Sequence, residues 1–239
     1  MDPTDPFAAT IPTPTAARPL LGLTILVVED SRYACEAMRL LCLRSGARIR
    51  RADCLRSARR HLRVYRPSVV MIDLGLPDGS GLDLISELSA CQPPAEAVLA
   101  MSADDDMQLA AEAAGAHGFM AKPISSIAEF QESVLALLPM DRRPPGPRIM
   151  NDEQIEPDQI AYQDDIAHIA DVLEEAEDAH ALDYIAQFLS GVARSAQDFR
   201  LEQAAHALAK KRALGHSARS ETAVIAGMIQ SRLSQKIAI

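Results

Sequence analysis

The chain has 239 residues, of which 48% are apolar and 24% are charged, and its formal net charge is −9 at pH 7. These proportions are ordinary for a globular protein, and the length suits one large domain or two small ones. No apolar run approaches the ~18 residues of a membrane-spanning helix, and the negative charge argues against broad nucleic-acid binding.

The N-terminal segment 1–20 is rich in proline, threonine and acidic residues. It lacks a basic region followed by an apolar one, so we expect a disordered lead-in rather than a signal peptide or a membrane anchor. The chain also contains cysteines without CxxC spacing, which predicts reduced thiols and a cytoplasmic location. These are Cys35, Cys42, Cys54 and Cys91.

Residues 21–139 alternate short apolar stretches with amphipathic ones, in the order strand and then helix, five times. The clearest strands are "LTILVVED", "SVVMIDL" and "AEAVLAMSA", with weaker ones at "ARIRRAD" and "HGFMAKP". Apolar residues at helical spacing follow each strand. The pattern predicts an α/β domain with a (βα)5 doubly wound parallel sheet of the flavodoxin-like type. Its functional site should lie beyond the carboxyl ends of the strands.

An arginine-rich region lies within the α/β segment. Eleven arginines occur between positions 32 and 66, where two acidic residues, Glu36 and Asp53, oppose them. The ordinary interpretation of such a pattern is a solvated helix face. The alternative is a docking surface for an acidic partner, and the sequence leaves both open.

A segment rich in proline and charge, residues 140–157, follows the α/β region and predicts a linker. Residues 158–239 show no strand-like alternation and carry four apolar stripes at helical spacing. The stripes are Ile166, Ile169, Val172, Leu173 and Ala176; Ile185, Phe188, Leu189 and Val192; Leu201, Ala204, Ala205 and Leu208; and Val224, Ile225, Met228, Ile229 and Leu233. We therefore expect a small all-α bundle. Such a bundle would be marginal alone and would gain from association with the first domain or with a second chain.

Polar side chains follow the predicted strands at the point where each strand ends. Glu29 and Asp30 come after the first strand and Asp73 after the third, while Ser102 and Lys122 end the fourth and fifth. The carboxyl ends of parallel strands meet at one edge of a sheet, so these groups should lie together. Clustered carboxylates repel each other unless a cation joins them, and oxygen ligands suit Mg²⁺. A carboxylate can also attack a phosphoryl group, whose oxygens a lysine and a hydroxyl would hold.

Four motifs occur in this order at the strand ends: "VVEDS", "MIDLGLPDGSG", "MSA" and "KP". With them, residues 21–139 resemble the receiver domain of two-component response regulators. The resemblance implies that Asp73 is the phosphoacceptor. It also implies that Glu29, Asp30, Asp73 and the backbone carbonyl of Gly75 bind Mg²⁺.

The same resemblance implies roles for residues further along the chain. Lys122 would contact the phosphoryl group, and its bond to Pro123 would be a cis peptide. Ser102 would be the hydroxyl switch residue. Phe119 would be the aromatic switch that turns inward when Ser102 follows a phosphoryl oxygen. Without the resemblance, Phe119 is an ordinary half-buried residue.

The C-terminal region differs from a DNA-binding output domain, because residues 151–239 contain eight Lys and Arg against fifteen Asp and Glu. This is the wrong sign for a DNA-binding module. The stretch "LEQAAHALAKKRALG" faintly resembles the helix of histidine-phosphotransfer domains, which implies His206 as a phosphoryl acceptor. However, Ala209 and Lys210 replace the lysine and glycine that usually follow that histidine, and a surface histidine is the commoner explanation.

The sequence as a whole predicts a cytoplasmic response regulator rather than an independent enzyme. We expect a histidine kinase or a phosphotransfer protein to phosphorylate it, with Mg²⁺ as the cofactor. Signalling would pass through the helical domain by interaction with a partner or by formation of a homodimer. Neither a membrane nor DNA is an expected partner. The alternatives are a DNA-binding transcriptional regulator, or a receiver fused to a degenerate histidine-phosphotransfer module that uses His206.

Overall fold

The computed structural model describes residues 12–91, 95–147, 151–175 and 179–234. Of the N-terminal segment expected to be disordered, residues 1–11 therefore lie outside the described residues. The strands are β1 (Thr24–Val28), β2 (Arg48–Ala52), β3 (Val69–Asp73), β4 (Gly75–Leu76), β5 (Gly79–Ser80), β6 (Val98–Ser102) and β7 (Gly118–Ala121). The helices are α1 (Arg32–Ser45), α2 (Leu55–Val64), α3 (Gly81–Ala90), α4 (Gln108–Ala114), α5 (Ile127–Leu137), α6 (Gln159–Glu175), α7 (Ala179–Ser195), α8 (Phe199–Ala213) and α9 (Arg219–Ser234).

Five strands form one parallel sheet in the order β2-β1-β3-β6-β7, while β4 pairs antiparallel with β5. This sheet confirms the α/β fold expected from the alternating pattern. Every residue of the central strand β3 is buried, as expected of a parallel sheet covered by helices on both faces. From β1 the chain passes to β2 at one edge of the sheet. It then returns to β3 on the other side of β1 and continues outward to β6 and β7. The topological switch point therefore lies beyond the carboxyl ends of β1 and β3.

Helices cover the two faces of the sheet and build a separate apolar core on each. On one face, Leu41 of α1 and Phe130 of α5 pack with the inward residues of β1 and β3. On the other face, Leu55 of α2, Ile85 of α3 and Ala111 of α4 complete the second core. Burial on both faces holds the sheet rigid and fixes the positions of the residues at its carboxyl edge.

Helices α6 to α9 pack together into the all-α bundle that the sequence predicts. Its core contains the central residues of each predicted stripe, among them Ile166, Ile185, Leu201 and Ile225. The prediction is wrong at Val224, which is 52% exposed. Val224 precedes Ile225, and the inward face of α9 is centred on Ile225 and Ile229. Ala176 of the first stripe lies outside the described residues.

The chain on either side of the α/β domain packs against it. Leu20, the last residue of the expected N-terminal segment, is fully buried in the core under α1 and α5. Ile155, within the segment expected to be a linker, is buried in the same core, and Gln154 forms a β-bridge with Ser126. The connection to the bundle is therefore held along the domain before α6 begins.

The bundle is also in contact with the α/β domain through α1. Helices α6 and α7 both contact α1, and Tyr33 of α1 is part of the apolar core of the bundle. The rings of Tyr33 and Tyr162 meet edge to face, with their centroids 6.0 Å apart. Among the described helices, none combines the length and the apolarity needed to cross a membrane.

Candidate functional site

Three carboxylates lie together at the carboxyl edge of the sheet. Glu29 and Asp30 follow β1 and Asp73 ends β3, and each offers a carboxylate oxygen within 4.8 Å of the others. Glu29 and Asp73 are buried, whereas Asp30 is half-buried. The arrangement predicted from the strand ends is thus present. A set of oxygen donors with this charge fits a hard divalent cation such as Mg²⁺.

Lys122 is the cation that the protein itself supplies to this cluster. Its Nζ lies 2.8 Å from Asp73 Oδ1 and 2.6 Å from Glu29 Oε2. The backbone N–H of Lys122 donates to the carbonyl of Ser102 at 2.7 Å, which extends the pairing of β6 with β7 up to the site. The peptide bond from Lys122 to Pro123 is cis, as expected.

The charges in the cluster are not balanced, since three carboxylates face one ammonium group. Burial raises the pKa of Glu29 to about 8, and Asp73 and Asp30 add to the rise against the opposing effect of Lys122. Burial and the neighbouring Asp73 likewise raise the pKa of Asp30 to about 7. For Lys122, burial lowers the pKa, but Asp73 and Glu29 outweigh it and keep the amine protonated. A bound divalent cation would offset this excess of negative charge.

The other predicted site residues lie around the cluster. Ser102 is buried at the end of β6, and its hydroxyl accepts a hydrogen bond from the N–H of Asp104 at 3.0 Å. The N–H of Gly75 donates to Asp73 Oδ2 at 3.3 Å. Phe119 is half-buried on β7 and packs against the core that α2, α3 and α4 cover. The structure therefore places Ser102 and Gly75 beside Asp73, with Phe119 one strand further out on β7.

Gly81 is a site residue that the sequence reasoning missed. A Cβ atom at this position would lie 2.1 Å from the backbone oxygen of Asp73 and 2.9 Å from the Cα of Leu74. Glycine is therefore required for α3 to begin directly against the backbone that follows β3. The signal was present in "PDGSGLDL", where a second glycine follows the turn.

Sequence reasoning also missed the contribution of the helical bundle. The hydroxyl of Tyr184, on α7, donates to Asp30 Oδ2 at 2.7 Å across the interface between the domains. Burial and the negative charge of Asp30 raise the pKa of Tyr184, so this hydroxyl keeps its proton and acts as the donor. No sequence signal marked Tyr184, because its partner lies 154 positions away.

A second carboxylate of the bundle binds the start of α1. Asp165 accepts hydrogen bonds from the hydroxyl of Ser31 at 2.7 Å, from the N–H of Arg32 at 2.7 Å and from the N–H of Tyr33 at 3.0 Å. A helix N-terminus has unpaired N–H groups and a positive dipole end, so a carboxylate there is favourable. Asp165 therefore fixes α6 directly beside the carboxylate cluster.

His206 lies on α8, away from these contacts. Its Nε2 is 3.4 Å from the hydroxyl of Ser190 and 3.5 Å from Nη2 of Arg194, and Glu202 is 3.6 Å away on the same helix. The imidazole is 53% exposed. The structure thus places His206 beside Arg194, whose guanidinium also donates to the backbone carbonyl of Ala103 after β6, and no contact among the described residues joins His206 to the carboxylate cluster.

The comparisons with known proteins assign the first domain. Residues 25–134 match the family model of the response regulator receiver domain, and this part of the chain is a receiver domain. A relative in Escherichia coli, the KDP operon transcriptional regulatory protein KdpE, is 30% identical over 45% of this chain and 47% of its own length. The probable transcriptional regulatory protein TcrX of Mycobacterium tuberculosis is 34% identical over 51% of this chain and 50% of its own length. The chain thus spans about half the length of the curated relatives it matches.

Solved structures similar to this chain cover the same domain. A putative response regulator from Chloroflexus aurantiacus has 24% sequence identity and a TM-score of 0.44, and it covers 48% of this chain and 98% of its own. A CheY-like receiver domain from Methylobacillus flagellatus has 26% identity and a TM-score of 0.44, over 48% of this chain and 98% of its own.

Proposed function

We propose that the protein is a response regulator that accepts a phosphoryl group on Asp73 from a histidine kinase or a phosphotransfer protein. The observation that carries this proposal is the position of Asp73. It lies at the carboxyl edge of a receiver sheet, 2.8 Å from the ammonium of Lys122 and beside the carboxylates of Glu29 and Asp30. The protein would signal by phosphorylation rather than act as an independent enzyme.

The chemistry follows from this arrangement. A carboxylate oxygen of Asp73 forms a bond to phosphorus while the bond between phosphorus and the donor breaks, and the electron pair of that bond leaves with the donor. The ammonium of Lys122 holds one phosphoryl oxygen, and the hydroxyl of Ser102 donates a hydrogen bond to another. Glu29, Asp30, Asp73 and the carbonyl of Gly75 would hold Mg²⁺, which neutralises charge on the transferring group. Movement of Ser102 and Phe119 would then report the phosphorylated state to the rest of the molecule.

The test is phosphorylation of the full chain by a small phosphodonor such as acetyl phosphate in the presence of Mg²⁺. We expect the intact mass to rise by one phosphoryl group, and we expect Asp73→Asn to remove that gain because an amide is not a nucleophile toward phosphorus. Omission of Mg²⁺ should also suppress labelling. A wild-type chain that stays unlabelled by acetyl phosphate in the presence of Mg²⁺ would contradict the proposal.

The helical bundle is proposed as the output, by interaction with a partner or by formation of a homodimer. A second candidate is DNA binding, which the names of the relatives favour because they are transcriptional regulators. Against it stands the acidic composition of residues 151–239. Fluorescence anisotropy can measure binding of the protein to mixed-sequence duplex DNA at two salt concentrations. This measurement distinguishes DNA binding from output by partner interaction or homodimer formation. Salt-dependent binding would support DNA as the partner.

The degenerate phosphotransfer role of His206 remains the other alternative. Its exposed imidazole and the nearby guanidinium of Arg194 are compatible with a phosphoryl group. Acid-labile and base-stable label that survives in Asp73→Asn and disappears in His206→Gln would support this role.

The cysteines of the described chain are free, which favours a reducing compartment and a cytoplasmic location for any of these functions.

A further inference from the structure

Helix α7 crosses the edge of the sheet where Asp73 lies. One face of this helix contacts the loops that follow β1, β3 and β6. Tyr184 donates to Asp30 after β1, and the side chain of Gln187 lies against Gly75 after β3, where it would overlap a Cβ atom built on that glycine. These positions are three residues apart, so both side chains leave α7 on the same side.

The same face of α7 continues to the loop after β6. Arg194 donates from its guanidinium to the backbone carbonyl of Ala103. Gly191 lies one turn earlier, and a Cβ atom on it would be 4.0 Å from the Cβ of Ala103. Because Ala103 directly follows Ser102, α7 spans the site from the carboxylates after β1 to the hydroxyl at the end of β6.

A phosphodonor would approach Asp73 from the carboxyl edge of the sheet, and α7 lies across this edge. The sheet lies behind Asp73, and α1, α3 and α5 close both faces of it. Asp73 is 7% exposed with α7 in place. Because α7 contacts Asp30, Gly75 and Ala103 around this carboxylate, we expect the docked bundle to hinder the approach of a donor as large as a protein helix.

The contacts of α7 also occupy ligand positions of the proposed site. The hydroxyl of Tyr184 donates to one oxygen of Asp30, and the side chain of Gln187 lies against Gly75, the residue whose carbonyl would bind the cation. A phosphoryl group on Asp73, together with a hydrated cation, needs the space above these two residues. Docking of the bundle and occupation of the site therefore compete.

We propose that the helical bundle is a lid over its own receiver: in the unphosphorylated protein α7 closes the phosphoacceptor site, and phosphorylation of Asp73 holds the lid open. The inference rests on the proposed function. Its physical basis is a docked interface formed by Tyr184, Gln187 and Arg194 at the site, and by Asp165 at the start of α1. An open bundle would expose the face of α7 to a partner.

Two variants weaken the lid without touching the acceptor. Tyr184→Phe removes only the hydroxyl, which donates to Asp30 and also lies 3.4 Å from Nε2 of His168 on α6. Gly191→Leu adds a Cβ atom in van der Waals contact with the Cβ of Ala103 and three further carbon atoms beyond it, which are intended to push α7 away from the loop after β6. The matched control is Tyr65→Phe, which removes a receiver hydroxyl that has no hydrogen-bond partner among the described residues.

The measurement is the rate at which acetyl phosphate with Mg²⁺ labels the full chain. A lost hydrogen bond to a charged acceptor should raise the open fraction roughly tenfold, and the labelling rate should rise with it. We expect faster labelling in Tyr184→Phe and Gly191→Leu and the wild-type rate in Tyr65→Phe. Amide hydrogen exchange at Arg32 and Tyr33, which bind Asp165, should rise in phosphorylated wild type but not in phosphodonor-treated Asp73→Asn.

The outcomes separate the lid from the proposed function. Labelling of every variant at the wild-type rate would overturn the lid while leaving Asp73 as the acceptor. Unchanged exchange at Arg32 and Tyr33 after full phosphorylation would also overturn it. If none of the variants is labelled, including those with the bundle undocked, the proposed function fails and the lid fails with it.

Discussion

At the scale of single residues, the site depends on close backbone approach as much as on charged groups. The carboxylate of Asp73 keeps its place because its strand is buried and because α3 begins against it at Gly81. Lys122 reaches the same carboxylate from the end of β7. The geometry around Asp73 is therefore set by backbone packing. A substitution that adds a single carbon atom there should lower the stability of the receiver domain.

Replacement of Gly81 by Ala is expected to destabilise the receiver domain by about 1–3 kcal/mol, because the new Cβ would meet the backbone oxygen of Asp73. The free energy of unfolding can be measured with urea. The matched control is Gly227→Ala in α9, where no described atom lies within 4 Å of the added Cβ. That substitution should be neutral or stabilising by up to about 1 kcal/mol, since alanine favours a helix. Equal effects of the two substitutions would contradict the steric argument.

At the scale of helices, Asp198 joins three elements of the bundle. It caps α8 by accepting from the N–H of Leu201 at 3.2 Å, and it accepts from the guanidinium of Arg232 on α9 and from the hydroxyl of Tyr162 on α6 at 2.7 Å. Burial alone would raise the pKa of Asp198, but these hydrogen bonds outweigh it and lower the pKa. The ionised form is therefore the one that the folded bundle stabilises.

The sign of the pH dependence follows from this lowered pKa. The stabilisation is present above the ordinary aspartate pKa of about 4 and is lost as the pH falls through the lower pKa of the folded state. We expect Asp198→Asn to lower the thermal unfolding temperature at pH 7 and the difference from wild type to shrink below about pH 4. Glu87→Gln is the control, because its ion pair with Arg59 is exposed and should contribute little at any pH. A difference that is independent of pH would contradict the assignment.

At the scale of the whole molecule, the contacts that join the two domains are long-range in sequence and polar at their centre. Asp165 is buried and binds the start of α1, where Ser31 and the first N–H groups of the helix surround it. Tyr33 enters the apolar core of the bundle from the same helix turn. The N-terminal turn of α1 thus belongs to both domains and couples the carboxylate cluster to the bundle.

Asp165→Asn should undock the bundle, because an amide nitrogen cannot accept one of the hydrogen bonds that this carboxylate receives. We expect amide exchange at Arg32 and Tyr33 to increase roughly tenfold while the amides of β3 stay protected. Asp164→Asn is a close control, because Asp164 is exposed and pairs with the side chain of Arg32. Unchanged protection in Asp165→Asn would show that apolar packing around Tyr33 is sufficient to hold the interface.

The sequence by itself determined the receiver fold and the gathering of Glu29, Asp30, Asp73, Ser102 and Lys122. It could do so because strand and helix periods are local, and because parallel strands bring their carboxyl ends to one edge. It also predicted the four helices of the bundle, with an error at Val224. The tertiary structure alone decided that α7 lies over this edge. Tyr184 and Asp165 each lie more than a hundred positions from their partners in the receiver domain. The local spacing of apolar residues does not indicate which two surfaces will pack together.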